Sequence, residues 1–246
     1  MSRSVGIDLS LADYLLASLG VFIGALAQGT VGFGANLVAV PILAIVAPAA
    51  LPGTMIILPL PLQVSMIRHE HDGISWPDVG WSTLGRLPGV VLGTWIVTAV
   101  ALDQLSVMTG VIVLAGVVSS LMATSIPFTA GSKLTAGFVS GVTGTATSVG
   151  GPPLALLYQH HEGRVLRPTL AACFLVGTAL SLPSLAVAGV MHWWQVRLAV
   201  ALLPAMLLGI ALSRWVTQRF DGRWLRPAVL ALAAATAVAA IARGIG

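Results

Sequence analysis

The sequence predicts an all-α integral membrane protein. It is expected to hold two inverted repeats of about five helical segments each, with broken or re-entrant helices at two glycine motifs and eight to ten spans in all. Three observations predict this. Hydrophobic residues make up 57% of the chain and charged residues only 8%, against about a quarter charged in a soluble domain. No Lys, Arg, Asp or Glu occurs from Tyr14 to Ile67. One motif is also written twice. Gly29-Thr30-Val31-Gly32-Phe33-Gly34-Ala35-Asn36, followed by Pro41, returns as Gly141-Val142-Thr143-Gly144-Thr145-Ala146-Thr147-Ser148, followed by Pro153, at a constant offset of 112.

Each element of that prediction has a physical reason. A charge-free stretch of this length cannot face water, so the lipid bilayer is its solvent. In hydrocarbon every backbone group needs an internal partner, which leaves helices or a closed barrel. The apolar runs are continuous and rich in Leu, Ala and Val rather than alternating, which selects helices. The basic residues behind the net charge of +4 lie in loops between apolar runs, where they set topology and form no nucleic-acid footprint. The lone cysteine, Cys173, can form neither an internal disulfide nor a cysteine metal cluster. The start, Met1 to Ser10, carries Asp8 and no basic stretch beyond Arg3, so it does not read as a cleavable signal peptide.

The apolar segments run over 11–27, 34–47, 51–67, 81–101, 105–124, 134–146, 150–161, 168–190, 195–214 and 226–243. A straight span needs about 20 residues. Segments 34–47 and 150–161 fall short and directly follow the two motifs, so half-helices or hairpins are expected there. The duplication extends further: Gly73, Pro88 and Gly93 match Gly189, Pro204 and Gly209 at an offset of 116, and Asp103 matches Asp221 at 118. One transporter domain is expected over 1–246, with repeats at about 9–124 and 131–244. In a ten-segment arrangement Arg68, Lys133, Arg164, Arg167, Arg214, Arg219, Arg223 and Arg226 fall on one side and Arg3, Arg197 and Arg243 on the other. The first side is therefore expected to be cytoplasmic, in a cell inner membrane. Five segments per half is an odd number, which inverts the second half relative to the first. Trp76, Trp81, Trp193, Trp194, Trp215 and Trp224 fall near span ends, as interfacial anchors do.

Paired, glycine-broken segments in corresponding halves point to a transporter's binding site. The glycines also allow plain close packing of helices. Duplication, a matched proline and interleaved polar side chains favour a site. Gly150-Gly151-Pro152-Pro153 cannot continue a regular helix, and a half-helix start attracts anions. The candidate binding residues are Gln28, Gly32, Gly34 and Asn36 in the first copy and Gly144, Thr145, Ser148, Gly150 and Gly151 in the second. None is charged, which suits a small anion held by hydrogen bonds. Arg86, about five residues inside its segment, either snorkels beside Trp81 or faces inward and draws the anion in. Gln63 and Ser65 are candidates for lining the same route. His69-Glu70-His71-Asp72 and His160-His161-Glu162 read as solvated loops rather than metal sites, and no cofactor is expected. Ser148 with His160 is a paper pair for a protease, but no Gly-x-Ser-x-Gly elbow and no P-loop occur, so the chain does not read as an enzyme. Gly89 to Gly93 is a candidate surface either for a homodimer or for internal helix packing.

At the duplicated motif, Gly24 to Pro41 and Gly137 to Pro153, the chain resembles the TauE/SafE sulfite exporter family, also called the TSUP family. Gly150-Gly151-Pro152-Pro153 is its most telling stretch, and the likeness covers nearly the whole chain. The resemblance implies a secondary transporter for small, often sulfur-containing anions such as sulfite, thiosulfate or organosulfonates. The first copy departs from the second: Val40-Pro41 stands against Pro152-Pro153, and Asn36-Leu37-Val38 against Ser148-Val149-Gly150. The two copies are therefore expected to contribute unequally. Alternating access is the expected mechanism, with proton coupling, sodium coupling and simple facilitated export all open as its driving force. An anion channel of the same fold and a non-transporting membrane assembly protein are the alternatives.

Overall fold

The computed structural model describes residues 9–31, 34–121, 126–159, 161–219 and 225–245. Among these residues the chain is helical, without strands. The helices are α1 (Leu11–Val31), α2 (Ala35–Val46), α3 (Gly53–Ile57), α4 (Leu60–His69), α5 (Trp76–Ala99), α6 (Leu102–Leu121), α7 (Ala130–Thr147), α8 (Gly151–Leu157), α9 (Gly163–Val187), α10 (Trp193–Arg219) and α11 (Leu225–Ile245). Five of them (α1, α6, α9, α10 and α11) are long and apolar enough to cross a membrane. The family of long apolar helices defines a multi-pass membrane protein.

The ten apolar segments of the sequence reappear, with several bounds shifted by four or five residues and one segment divided. Segment 51–67 is divided into α3 and α4 at Leu58–Pro59. Pro59 and Pro61 lack the N–H groups that would bond back to the carbonyls of Met55 and Ile57, so one continuous helix cannot form there. The fifth helix begins at Trp76 rather than near 81, because hydropathy stops at Asp78 while Pro77 and the first-turn acid favour a helix start. The helix carries both Asp78 and Arg86, and both are buried.

Helix directions follow from the contact register. On α5, Gly85, Gly89 and Gly93 lie against the backbone of Leu134, Phe138 and Val142 in turn. The two series advance together, so α5 and α7 are parallel. On α1, Tyr14 donates to the carbonyl of Ala201 at 2.8 Å, Phe22 meets Gly209 and Gly29 meets Ser213. Hence α1 and α10 are also parallel. Gly244 lies on Asp103 and Gly110 on Ala237, so α6 and α11 are antiparallel. Two residues join α5 to α6 and five join α10 to α11. Five residues reach about 17 Å, too short to recross a hydrocarbon core ~30 Å thick, so two spanning helices joined in this way run in opposite directions. Combining these relations, α1 runs opposite to α7. The two glycine-broken hairpins therefore enter from opposite directions, as inverted halves require.

The halves are interleaved. Helix α1 packs on α10 while its counterpart α7 packs on α5, and the last helix of each half, α6 and α11, pack on each other. The largest apolar core surrounds α2, whose Leu37, Val38, Val40 and Leu43 are buried, with α1, α6 and α11 packed on it. Exposed Leu15, Leu84, Val91, Trp95, Leu207 and Leu208 face the lipid side. Trp76, Trp81, Trp193 and Trp215 are exposed near helix ends. Trp194 instead packs partly buried against the core, and Trp224 lies outside the described residues. Gly89 and Gly93 are used inside the chain against α7, so they present no dimer surface.

Candidate functional site

The two breaks meet. Helix α1 ends at Val31 and α2 begins at Ala35, capped by Gly34 at φ 108. Helix α7 ends at Thr147, and α8 begins at Gly151 after Ser148, which sits in the left-handed region at φ 64. By length, α2 covers about 18 Å and α8 about 10 Å of a hydrocarbon core ~30 Å thick. Both are half-helices, and their starts lie in the interior.

Asn36 ties the breaks together. Its Nδ2 donates to the carbonyl of Ser148 at 2.7 Å and to that of Met55 at 3.3 Å. Each of those carbonyls stands four residues before a proline, Pro152 and Pro59, which cannot supply the usual helical N–H. One side chain thus satisfies two carbonyls that proline has stripped of donors. Ser148 returns the link by donating Oγ to the carbonyl of Pro52 at 2.8 Å. The repeat-related positions 36 and 148 are therefore in direct contact.

A cavity of about 90 Å³ opens at this junction. That is room for a solute of a few heavy atoms, since one water needs about 10–15 Å³ on the same measure. Of the residues expected at a site, Gln28, Gly34, Asn36, Arg86, Gly144, Ser148, Gly150 and Gly151 line it. Gly32 lies outside the described residues, as does His160. Thr145 is fully buried but turns its hydroxyl to Ser181 Oγ at 2.8 Å, so it braces α7 against α9 from behind the wall. Gln63 lines the cavity, whereas Ser65 is exposed on the far side of α4.

The polar groups differ from the sequence expectation in how they are used. Gln28 accepts from the Ala35 N–H at 3.3 Å, at the start of α2. The Asn36 amide nitrogen is held by its two carbonyls, so its role here is to fasten the breaks, while its Oδ1 has no partner. At α8 the prolines at 152 and 153 remove two of the N–H groups that a helix start would offer. Donor capacity rests instead on Arg86.

Arg86 is 6% exposed, which excludes snorkelling. From α5 it reaches across α7, where Nη1 donates to Ser140 Oγ at 3.2 Å, and it approaches the Cys173 carbonyl of α9 at 3.5 Å. Ser140 passes the link on to the Gly150 carbonyl at 2.6 Å. Nε has no partner. Among the described residues no carboxylate pairs with Arg86; the ion pairs are His71–Asp72, Lys133–Asp78 and Arg167–Glu70. A cradle of missing side chains admits the guanidinium: a Cβ on Gly177 would overlap it, and one on Gly144 would stand 3.0 Å from Nη2.

Sequence reasoning missed Gly177, Ser140 and the α9 wall of Phe174, Thr178 and Ser181. The signal was present in part. Cys173, Gly177 and Ser181 repeat a small residue every fourth position, a close-approach stripe on one helix face.

This combination defines a class: a multi-pass helical membrane protein with two inverted halves whose broken helices enclose a cationic interior cavity. That is the architecture of a secondary transporter. The chain belongs to the sulfite exporter TauE/SafE family, which matches residues 16–240. No curated protein and no solved structure matches the chain.

Proposed function

We propose that this chain is a secondary transporter that carries a small, sulfur-containing oxyanion such as sulfite, thiosulfate or an organosulfonate by alternating access. The observation that carries the reading is Arg86: a buried guanidinium, without a carboxylate partner among the described residues, on the wall of an otherwise uncharged cavity. An ionised side chain inside a membrane protein is costly and is retained for pairing with a substrate or ion. A planar fork of N–H donors also matches the geometry of an oxyanion. Family membership supplies the sulfur-anion class.

The anion would sit against the Arg86 guanidinium, with the Gln28 and Gln63 amides and the Thr178 and Ser181 hydroxyls around it. Rotation of a Gln amide presents NH2 where its oxygen now stands. Rocking of one half against the other about the Asn36–Ser148 contact would expose this position to each side in turn. The test is uptake of radiolabelled sulfite, thiosulfate and a sulfonate into proteoliposomes. Saturable uptake and counterflow of at least one of them are expected. No saturable flux of any of the three removes the substrate class, and saturable flux without counterflow replaces the carrier with a channel.

A further inference from the structure

A second polar site lies outside the cavity, two turns away on the same helix. Asp78 and Lys133 form an ion pair of 2.5 Å between α5 and α7, with side chains only 12% and 13% exposed. The ammonium also sits 4.1 Å over the ring of Phe128, whose edge meets Tyr158 at 5.2 Å between centroids. Asp78, Ser82 and Arg86 follow at intervals of four, so they share one face of α5, about 12 Å from first to last. Ser82 is 2% exposed and Tyr158 is fully buried, and neither hydroxyl has a hydrogen-bond partner. Buried hydroxyls almost always find one. Two orphans between a carboxylate and the cavity arginine mark a polar track through apolar packing.

We propose that Asp78 is a proton-loading site and that the protein moves one proton with each anion, the Ser82 and Tyr158 hydroxyls relaying the proton between Asp78 and the cavity. This inference rests on the transport reading above. The groups facing Asp78 are Lys133 from α7, Tyr158 and His161 just beyond α8 and Cys173 from α9, with Ser75 and Ser82 from its own helix region. Asp78 is the one carboxylate among them. A proton arriving on a carboxylate oxygen of Asp78 breaks the ionic bond to Lys133. It leaves from the same oxygen, through the hydroxyls, to water admitted to the cavity on the side where the anion is released. Lys133 and Arg86 keep their own protons throughout, so one proton crosses with each anion, and the net charge moved is the anion's charge plus one. Sodium does not suit the site, because the Lys133 ammonium already occupies the cation position on the carboxylate.

The test compares two readouts in proteoliposomes loaded with radiolabelled sulfite, or with whichever of the three anions the wild type exchanges. Anion-for-anion exchange needs no net proton movement. Accumulation driven by an imposed pH gradient does. With the membrane potential clamped at zero, a gradient of about one pH unit raises accumulation about tenfold for one coupled proton, the equilibrium value for about 1.4 kcal/mol. Wild type is expected to approach this, and the Asp78→Asn variant to exchange but to show no response to the gradient. Tenfold accumulation by that variant overturns the proposal. If Asp78→Asn loses exchange as well, the neutral pair Asp78→Asn with Lys133→Gln decides. Exchange regained without gradient response supports the proposal, and exchange regained with gradient response, or not regained, overturns it. Absence of exchange by the wild type removes the transport reading itself.

Discussion

Arg86 owes its position to residues that are not there. Gly177, Gly144 and Gly141 present bare backbone to its side chain, and the guanidinium fills the space that Cβ atoms would take. The Gly177→Ala variant is therefore expected to displace the guanidinium at an overpacking cost of about 1–3 kcal/mol. Anion uptake should fall with it, read as flux per folded protein in proteoliposomes. The Arg86→Gln variant removes charge-assisted hydrogen bonds worth about 1.5–3 kcal/mol, so the half-saturating anion concentration should rise about ten- to a hundredfold. An unchanged value would place the anion elsewhere. Asn36 acts differently, because its amide serves two proline-orphaned carbonyls. Asn36→Ala leaves both unsatisfied, at about 1–3 kcal/mol each, and the variant should melt at lower temperature in detergent. At this scale the sequence discloses residue types but not their use. The chain shows Asn36 and Ser148 at matched positions, and they do meet. It does not show that the Asn36 amide nitrogen points to backbone, because the carbonyls it serves lie 19 and 112 residues away.

The elements were legible where hydropathy and helix chemistry agree, and less so where they part. Both half-helices were visible as short apolar runs behind a glycine motif. The division of segment 51–67 and the early start of α5 were hidden, because one follows from proline stereochemistry and the other from a buried acid that hydropathy counts as loop. At the start of α2, Gly34 at φ 108 lies where a side chain on an L-residue crowds the carbonyl. Gly34→Ala is expected to cost about 1–3 kcal/mol, seen as a lower melting temperature, and to tilt α2 away from the cavity. Ser148 takes the equivalent strained role in the second half at φ 64. There Ser148→Gly relieves the backbone while removing the bond to Pro52, so its effect should be smaller than that of Gly34→Ala. A larger loss at Ser148→Gly would mean that the hydroxyl, not the backbone angle, governs that break.

For the whole molecule, inversion is the property with the most direct consequence, and repeat-related loops test it. Gly73 and Gly189 are equivalent at an offset of 116. In parallel halves the loops holding them would lie on one face of the membrane. The antiparallel relation of α1 and α7 puts them on opposite faces. Asp72, with a side chain 94% exposed, and the exposed His192 mark the two loops. The native Cys173 is 3% exposed and should stay silent toward a membrane-impermeant thiol reagent. In intact cells the reagent should label one of the single variants Asp72→Cys and His192→Cys, and the other only after the membrane is opened. Arg68, Arg164 and Arg167 cluster with the Asp72 side in the ten-segment arrangement, so His192→Cys is the variant expected to react from outside. Labelling of both variants from outside would require parallel halves, and the two broken hairpins could not then approach one cavity from opposite faces.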